Sequence, residues 1–157
     1  MKDLIIGIIG LTLITLITYG IITTTTELGK IDEQQIADLI HQKINEERTQ
    51  LRLQPLTRTI IIDQAAQKHT DWMAKYSLFE HTKPTVYGEN IVMIPKSFII
   101  QDCQGTMHND DQRAECMVQL WINSPGHYAN IKTSQYTQTG IGVKCTYNKC
   151  YATQNFK

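Results

Sequence analysis

Two hydrophobic patterns divide the chain. From Leu4 to Ile22 it reads LIIGIIGLTLITLITYGII, without a charge or a proline. A helix needs roughly 20 apolar residues to cross the hydrocarbon core of a bilayer, and this run is about that long. Its threonine hydroxyls can bond back to the helix's own carbonyls, so they do not oppose insertion. A cleaved signal peptide calls for a basic start, a shorter apolar stretch and a small-residue exit. Here Lys2 is offset by Asp3, and Thr23-Thr24-Thr25-Thr26-Glu27 follows the run. The expectation is a short tail at residues 1–3, one uncleaved transmembrane helix at 4–22 and a polar spacer at 23–31. Cleavage would instead release a secreted chain.

From residue 32 to 157 the pattern is that of one folded domain with alternating periodicities. Asp32 with Gln35 three residues later makes a capping-box signature. The helix it opens runs to about Leu51, with Ile36, Leu39, Ile40, Ile44 and Leu51 on one stripe. A second helix is predicted from near Thr59 to Tyr76, with Ile62, Ala65, Ala66, His69, Trp72 and Met73 on a shared face. Glu89–Ile94 is short, apolar and β-branched, and suits either a strand or a first helical turn. Residues 97–111 read as an irregular loop, and Arg113–Trp121 as a third helix with Cys116, Met117 and Leu120 inward. Ser124-Pro125-Gly126 breaks that helix ahead of a short one toward Ile131. Thr139–Lys144 and Tyr151–Phe156 alternate as two antiparallel strands. Helices followed by a C-terminal hairpin predict an α+β sandwich.

Charge excludes one class of partner. With 15 Lys+Arg against 15 Asp+Glu and no basic run, nucleic acid is not expected. Cysteine adds a compartment. Cys103, Cys116, Cys145 and Cys150 allow three pairings. A bridge across the Thr146–Lys149 turn is geometrically easy, leaving Cys103 and Cys116 to close the intervening loop. Disulfides persist in oxidising surroundings, which places the domain outside the cytoplasm; four reduced cysteines are the alternative. No C-x-x-C is present, so a zinc knuckle is not indicated. Asp102, Asp110 and Asp111 lack the frame of a calcium hand and read as a solvated loop.

Candidate chemistry sits in three ordered segments: Phe79-Glu80-His81, Tyr87-Gly88-Glu89-Asn90, and the run from Trp121 to Ile131 that contains Ser124-Pro125-Gly126-His127. Two imidazoles can hold Zn²⁺ or a similar divalent cation, and Glu89 can ligate it or orient an imidazole from behind. His69 has a simpler role as a ring packed on a mostly apolar stripe. Ser124 lies three residues before His127 but lacks the strand-turn-helix elbow of a serine nucleophile.

These segments, with Ile44-Asn45 and Arg48, Gln54-Pro55-Leu56, Gly140-Ile141-Gly142-Val143 and Tyr151–Phe156, resemble the CAP superfamily: cysteine-rich secretory proteins, antigen 5, pathogenesis-related 1 proteins and their prokaryotic relatives. The resemblance spans roughly Ile36 to Phe156. It implies a three-layer α-β-α sandwich with a central antiparallel sheet and a shallow groove holding two His and usually two acidic residues. Carried onto this chain, the metal set is His81, His127 and Glu89, with Glu89 also the candidate acid/base. The second acid of many eukaryotic members falls at Ser124, which removes one carboxylate; Glu115 is a remote substitute and better read as a surface residue. Tyr87, Asn90, Ser124 and Tyr128 are the expected groove residues.

The functional expectation is an anchored extracytoplasmic domain that binds a lipid, glycan, peptide or envelope component, with a divalent cation such as zinc at the His/Glu/His site. A metal-dependent hydrolase of extracellular polymers, and a structural domain without chemistry, are the alternatives.

Overall fold

The computed structural model describes residues 31–83, 88–96, 103 and 108–157. The expected membrane span at 4–22, its flanking tail and most of the spacer, Tyr87 and Asp102 lie outside the described residues. No helix among the described residues is long and apolar enough to cross a membrane.

Helix α1 (Glu33–Gln50) begins at Asp32, whose Oδ1 accepts from the amides of Gln34 and Gln35. The reciprocal half of the predicted capping box comes from elsewhere: the Asp32 amide donates to Asp110 Oδ2 at 3.0 Å. Ile36, Ile40 and Ile44 are fully buried, whereas Leu51, assigned to the same stripe, is 37% exposed at the helix end. After α1 come strand β1 (Thr57–Arg58), helix α2 (Ile60–Tyr76), strand β2 (Gly88–Pro95), helix α3 (Asp110–Ile122), helix α4 (Pro125–Lys132) and strands β3 (Gln138–Cys145) and β4 (Lys149–Phe156). Helix α3 starts three residues before the predicted Arg113 because Asn109 caps it, accepting from Gln112 N at 2.9 Å.

The fold is α+β, and its sheet runs β1-β3-β4-β2. β4 pairs antiparallel with both β2 and β3, from Gly88↔Phe156 to Pro95↔Lys149 on one side and from Thr139↔Phe156 to Cys145↔Cys150 on the other. The expectation of a wholly antiparallel sheet is corrected by β1, which is parallel to β3. The link from α1 to α2 runs along the open edge of β3, and its Thr57 and Thr59 amides donate to the Thr137 and Thr139 carbonyls at 2.9 and 3.0 Å.

Side-chain alternation sorts the sheet into two faces. Val92, Ile94, Ile141, Val143, Ala152 and Phe156 join the main core with α1, α3 and α4. Ile91 and Tyr151 point the other way, to Met73 and Ala74 of α2. On that second face α2 lies almost against the backbone of β3. A Cβ on Gly140 would stand 2.1 Å from Ile62 C, and one on Gly142 would stand 2.4 Å from Gln67 Cα.

Both open edges of the sheet are closed by side chains. Beyond the reach of β1, Asp63 accepts from Ile141 N at 2.8 Å, Gln67 both accepts from and donates to Val143, and Glu33 accepts from Cys145 N at 2.8 Å. Along β2, the Trp121 indole donates to Ile91 O at 3.0 Å and Asn130 Nδ2 donates to Glu89 O at 3.2 Å.

The fully buried Arg48 pins the chain after α4, donating to the carbonyls of Gln54, Ile131, Thr133 and Tyr136. Burial holds its guanidinium below the ordinary arginine value. Disulfides join Cys103 to Cys116 and Cys145 to Cys150.

Gly140→Ala would force helix backbone, which cannot rotate aside, away from the sheet. We expect a loss of about 3 kcal/mol of stability in urea denaturation. Gly126→Ala, where the added methyl meets nothing within 4 Å, should stay within about 1 kcal/mol of the parent, on the stabilising side.

Candidate functional site

The site forms where the chain turns back after α2. Ser77 takes a left-handed conformation (φ 54°), and the amides of Ser77 and Leu78 both return to Met73 O. The reversal lays Glu80–Thr82 beside the last turns of α2, where His69 Nε2 donates to Glu80 O at 2.9 Å. His81 is thus delivered to the mouth of β2.

In β2 the motif Gly88-Glu89-Asn90 divides three tasks by direction. Gly88 admits Tyr136, whose hydroxyl lies 2.4 Å from where a Cβ would stand. Asn90, fully buried, faces α4 and donates to His127 O at 3.1 Å. Glu89 faces α2, its side chain only 3% exposed. Its Oε1 accepts from His81 Nδ1 at 2.8 Å and from Thr82 N at 2.9 Å, and its Oε2 accepts from the Thr82 hydroxyl at 2.6 Å. His69 Nε2 lies 3.8 Å from Oε2. Because a carboxylate only accepts, Nδ1 of His81 carries a proton, and in the neutral ring the lone pair is on Nε2.

His127 is set by α4. Ser124 stands at the N-cap and Pro125 at the first turn, where a missing amide costs nothing. One turn on, Asn130 donates to Asn90 Oδ1 at 2.9 Å and to Glu89 O, so residues 127 and 130 both face β2. The rings of His81 and His127 lie 5.8 Å apart at 48°. Burial, then the nearby His81, hold the His127 imidazole below its ordinary value near 6.5, against a smaller upward pull from Glu89.

The structure therefore brings His81, Glu89 and His127 together. Glu89 reaches His81 directly, and the three hydrogen bonds it accepts cast it as an orienting group. Among the described residues no group of three or more His, Cys, Asp and Glu side chains is arranged to hold a metal ion. Tyr128 turns from this centre to α1, where its hydroxyl meets Glu47 Oε1 at 2.6 Å; that bond raises its proton affinity above the usual phenol value. Glu115 is bound to Lys43 at 2.9 Å and does not join the site. Thr82, which supplies two of the donors to Glu89, carries no recognisable sequence signal beyond its place after His81. His69 is more than a packed ring, since it also holds the Glu80 carbonyl beside the carboxylate.

A cavity of about 290 Å³ opens beside this centre, lined by His69, Trp72, Glu80, His81, Thr82 and Lys83. Trp72, assigned to the buried face of α2, is 36% exposed there and stacks on His69 at 5.7 Å.

The chain thus has an α-β-α fold with a paired-histidine centre at the mouth of an edge strand. The chain belongs to the cysteine-rich secretory protein (CAP) family, whose model matches residues 41–156. It is 28% identical over 123 residues to the uncharacterized protein YkwD of Bacillus subtilis, covering 76% of this chain and 46% of that one, so the chain spans less than half of that relative. Among solved structures it is similar to an outer surface protein from Borrelia burgdorferi (TM-score 0.58, 18% identity, 82% of this chain and 96% of that one). An extracellular SCP-domain protein from Bacillus anthracis matches with TM-score 0.56 and 22% identity over 80% of this chain and 41% of that one. NaASP2, in a crystal structure with Zn²⁺, matches with TM-score 0.56 and 16% identity over 81% of this chain and 83% of that one.

Thr82→Val deletes a hydroxyl donor to a buried carboxylate and should cost about 2 kcal/mol in chemical denaturation, with Thr82→Ser recovering most of it. His127 gives a pH signature. Its folded value lies below its unfolded one, so its share of stability is present above about pH 6.5 and is lost as pH falls through the folded value. Melting temperature should drop less on acidification in His127→Asn than in the parent.

Proposed function

We propose that this chain is an extracytoplasmic binding module, held to a membrane by residues 4–22. In this reading His81 and His127 share a divalent cation of the zinc type beside a groove for an extracellular ligand. The observation that carries the reading is the anchoring of Glu89, which accepts three hydrogen bonds. With donors from Thr82 and His81 on its two oxygens, the carboxylate fixes the His81 ring and points Nε2, the ligand atom of the neutral ring, away from itself. His127, biased toward its neutral form, stands beside it. Zn–N bonds of about 2 Å from two imidazoles put ring centres roughly 5–6 Å apart, and the observed 5.8 Å fits that span. The remaining coordination positions would go to water or ligand. When bound, such an ion supplies a Lewis acid.

The same anchoring favours binding over hydrolysis. A general base needs a lone pair aimed at a reacting proton, whereas Glu89 is buried and engaged, and Ser124 stands where a second acid would be. NaASP2, of the same fold, has been crystallised with Zn²⁺, which makes zinc the first ion to try. Two disulfides, together with fold relatives described as extracellular and outer-surface proteins, support an oxidising compartment.

Zinc titration calorimetry on the full chain tests the reading. We expect a single site of micromolar or tighter Kd, lost in His81→Ala/His127→Ala and weakened about tenfold to a hundredfold in Glu89→Gln. Absence of saturable heat, or an unchanged Kd in the double variant, would overturn it.

A further inference from the structure

The turn between β3 and β4 is held from several sides. A disulfide joins Cys145 to Cys150 at its base. Within it, Thr146 N donates to Lys149 O at 2.7 Å, and Lys149 N donates back to Thr146 Oγ1 at 3.2 Å. From the end of β2, Lys96 N donates to Asn148 O at 2.8 Å. At the tip of this fixed turn stands Tyr147, 95% exposed and the most exposed large hydrophobic side chain among the described residues. A ring presented on a stapled turn loses little further backbone freedom when it meets a surface.

The charges around the tip are of one sign once the engaged ones are set aside. Asp32 caps α1, and Asp110 takes the Asp32 amide and pairs with Arg113. Glu33 is bound to Lys144 Nζ at 3.1 Å and to Cys145 N at 2.8 Å. Lys96 and Lys149, beside the tyrosine, have no ion-pair partner among the described residues. A tyrosine flanked by lysines is the composition that settles at an anionic membrane surface, the ring at headgroup level and the ammonium groups on phosphates. One ring and two ammonium groups fall far short of the roughly 800 Å² per partner of a stable protein interface.

The point at which the chain enters the domain decides the partner. The fold begins at Asp32, and its next residue, Glu33, is bonded to the base of this same turn. Residues 23–31 reach at most about 30 Å even when fully extended, so a bilayer spanned by residues 4–22 lies within reach of the tip. We propose that the stapled turn is the foot of the domain, resting Tyr147, Lys96 and Lys149 on the anionic headgroups of the bilayer that anchors the chain. A contact too weak to hold a free protein suffices here, because a short tether keeps the tip near the surface at an effective concentration of about millimolar. The proposal rests on the anchoring part of the binding-module reading and adds a direction to it. Glu89 and His81 lie at the other end of the sheet, about 20 Å along β2 from Pro95. The histidine centre is therefore held off the bilayer, and its ligand comes from the exterior rather than from the anchoring membrane's own lipids.

The test reconstitutes the full chain and its Tyr147→Trp variant into vesicles of phosphatidylcholine and phosphatidylglycerol that contain a nitroxide-headgroup lipid. Trp72 and Trp121 give both proteins the same background, so the difference between them reports position 147. We expect the nitroxide to quench the added emission about twofold or more beyond the parent's. That excess should shrink when phosphatidylglycerol is left out, and in Lys96→Gln/Lys149→Gln. Where the chain stays in the vesicles through an alkaline wash, quenching of the added emission no greater than the parent's would overturn the proposal and leave the anchor standing. An excess indifferent to both the lysines and phosphatidylglycerol would overturn it as well. A chain washed from the vesicles would remove the anchor reading and this proposal together.

Discussion

A short antiparallel sheet of three main strands has two open edges, and the need to satisfy their backbone groups organises the rest of this molecule. On the β3 side, Asp63 and Gln67 of α2 complete the ladder where the two-residue β1 ends. On the β2 side, Trp121 and Asn130 of the helical layer take the outward carbonyls. These side chains fix the height and rotation of α2 and α4 against the sheet. The same two helices carry His69 and His127. The geometry of the candidate site is thus a by-product of edge closure: Asn130, placed to cap Glu89 O, is what orients the turn of α4 that bears His127.

Glycine makes that closure possible on one side only. With no Cβ at positions 140 and 142, α2 settles near enough to β3 for side chains as short as aspartate to reach strand amides. Alternation then leaves Ile141 and Val143 to fill the thicker layer opposite. A single strand accordingly supports two unlike interfaces, one of backbone on backbone and one of interlocked aliphatic groups.

Much of this was legible in the sequence because it rests on local or periodic signals. Ile36, Ile40 and Ile44 announce α1, Asp32 its start, and the cysteine-flanked turn the final hairpin. The ordered His81, Glu89 and His127 segments pointed to one shared site. What escaped depends on contacts distant in the chain. β1 exists only because residues 57 and 58 pass a free edge of β3. The partner of the Asp32 amide is Asp110, 78 residues away, where the local capping-box spacing pointed to Gln35. Trp72 shares the helical stripe of Met73 by spacing, yet Met73 is the one packed on Ile91 and Tyr151, and the indole is left at the rim beside His69. Thr82 was invisible because its role lies in a buried carboxylate that only tertiary structure places beside it.

The placement of Arg48 bears on how the domain would meet an acidic or salty exterior. Its charge is held by four carbonyl oxygens, groups that do not protonate and that lie out of reach of counter-ions. The other side of the helical layer is tied differently, by Lys43 to the exposed carboxylates of Asp111 and Glu115. Acid neutralises those carboxylates and salt screens them. Harsh media should therefore loosen the molecule from one side, easing α1 from α3 while the segment behind α4 stays fastened.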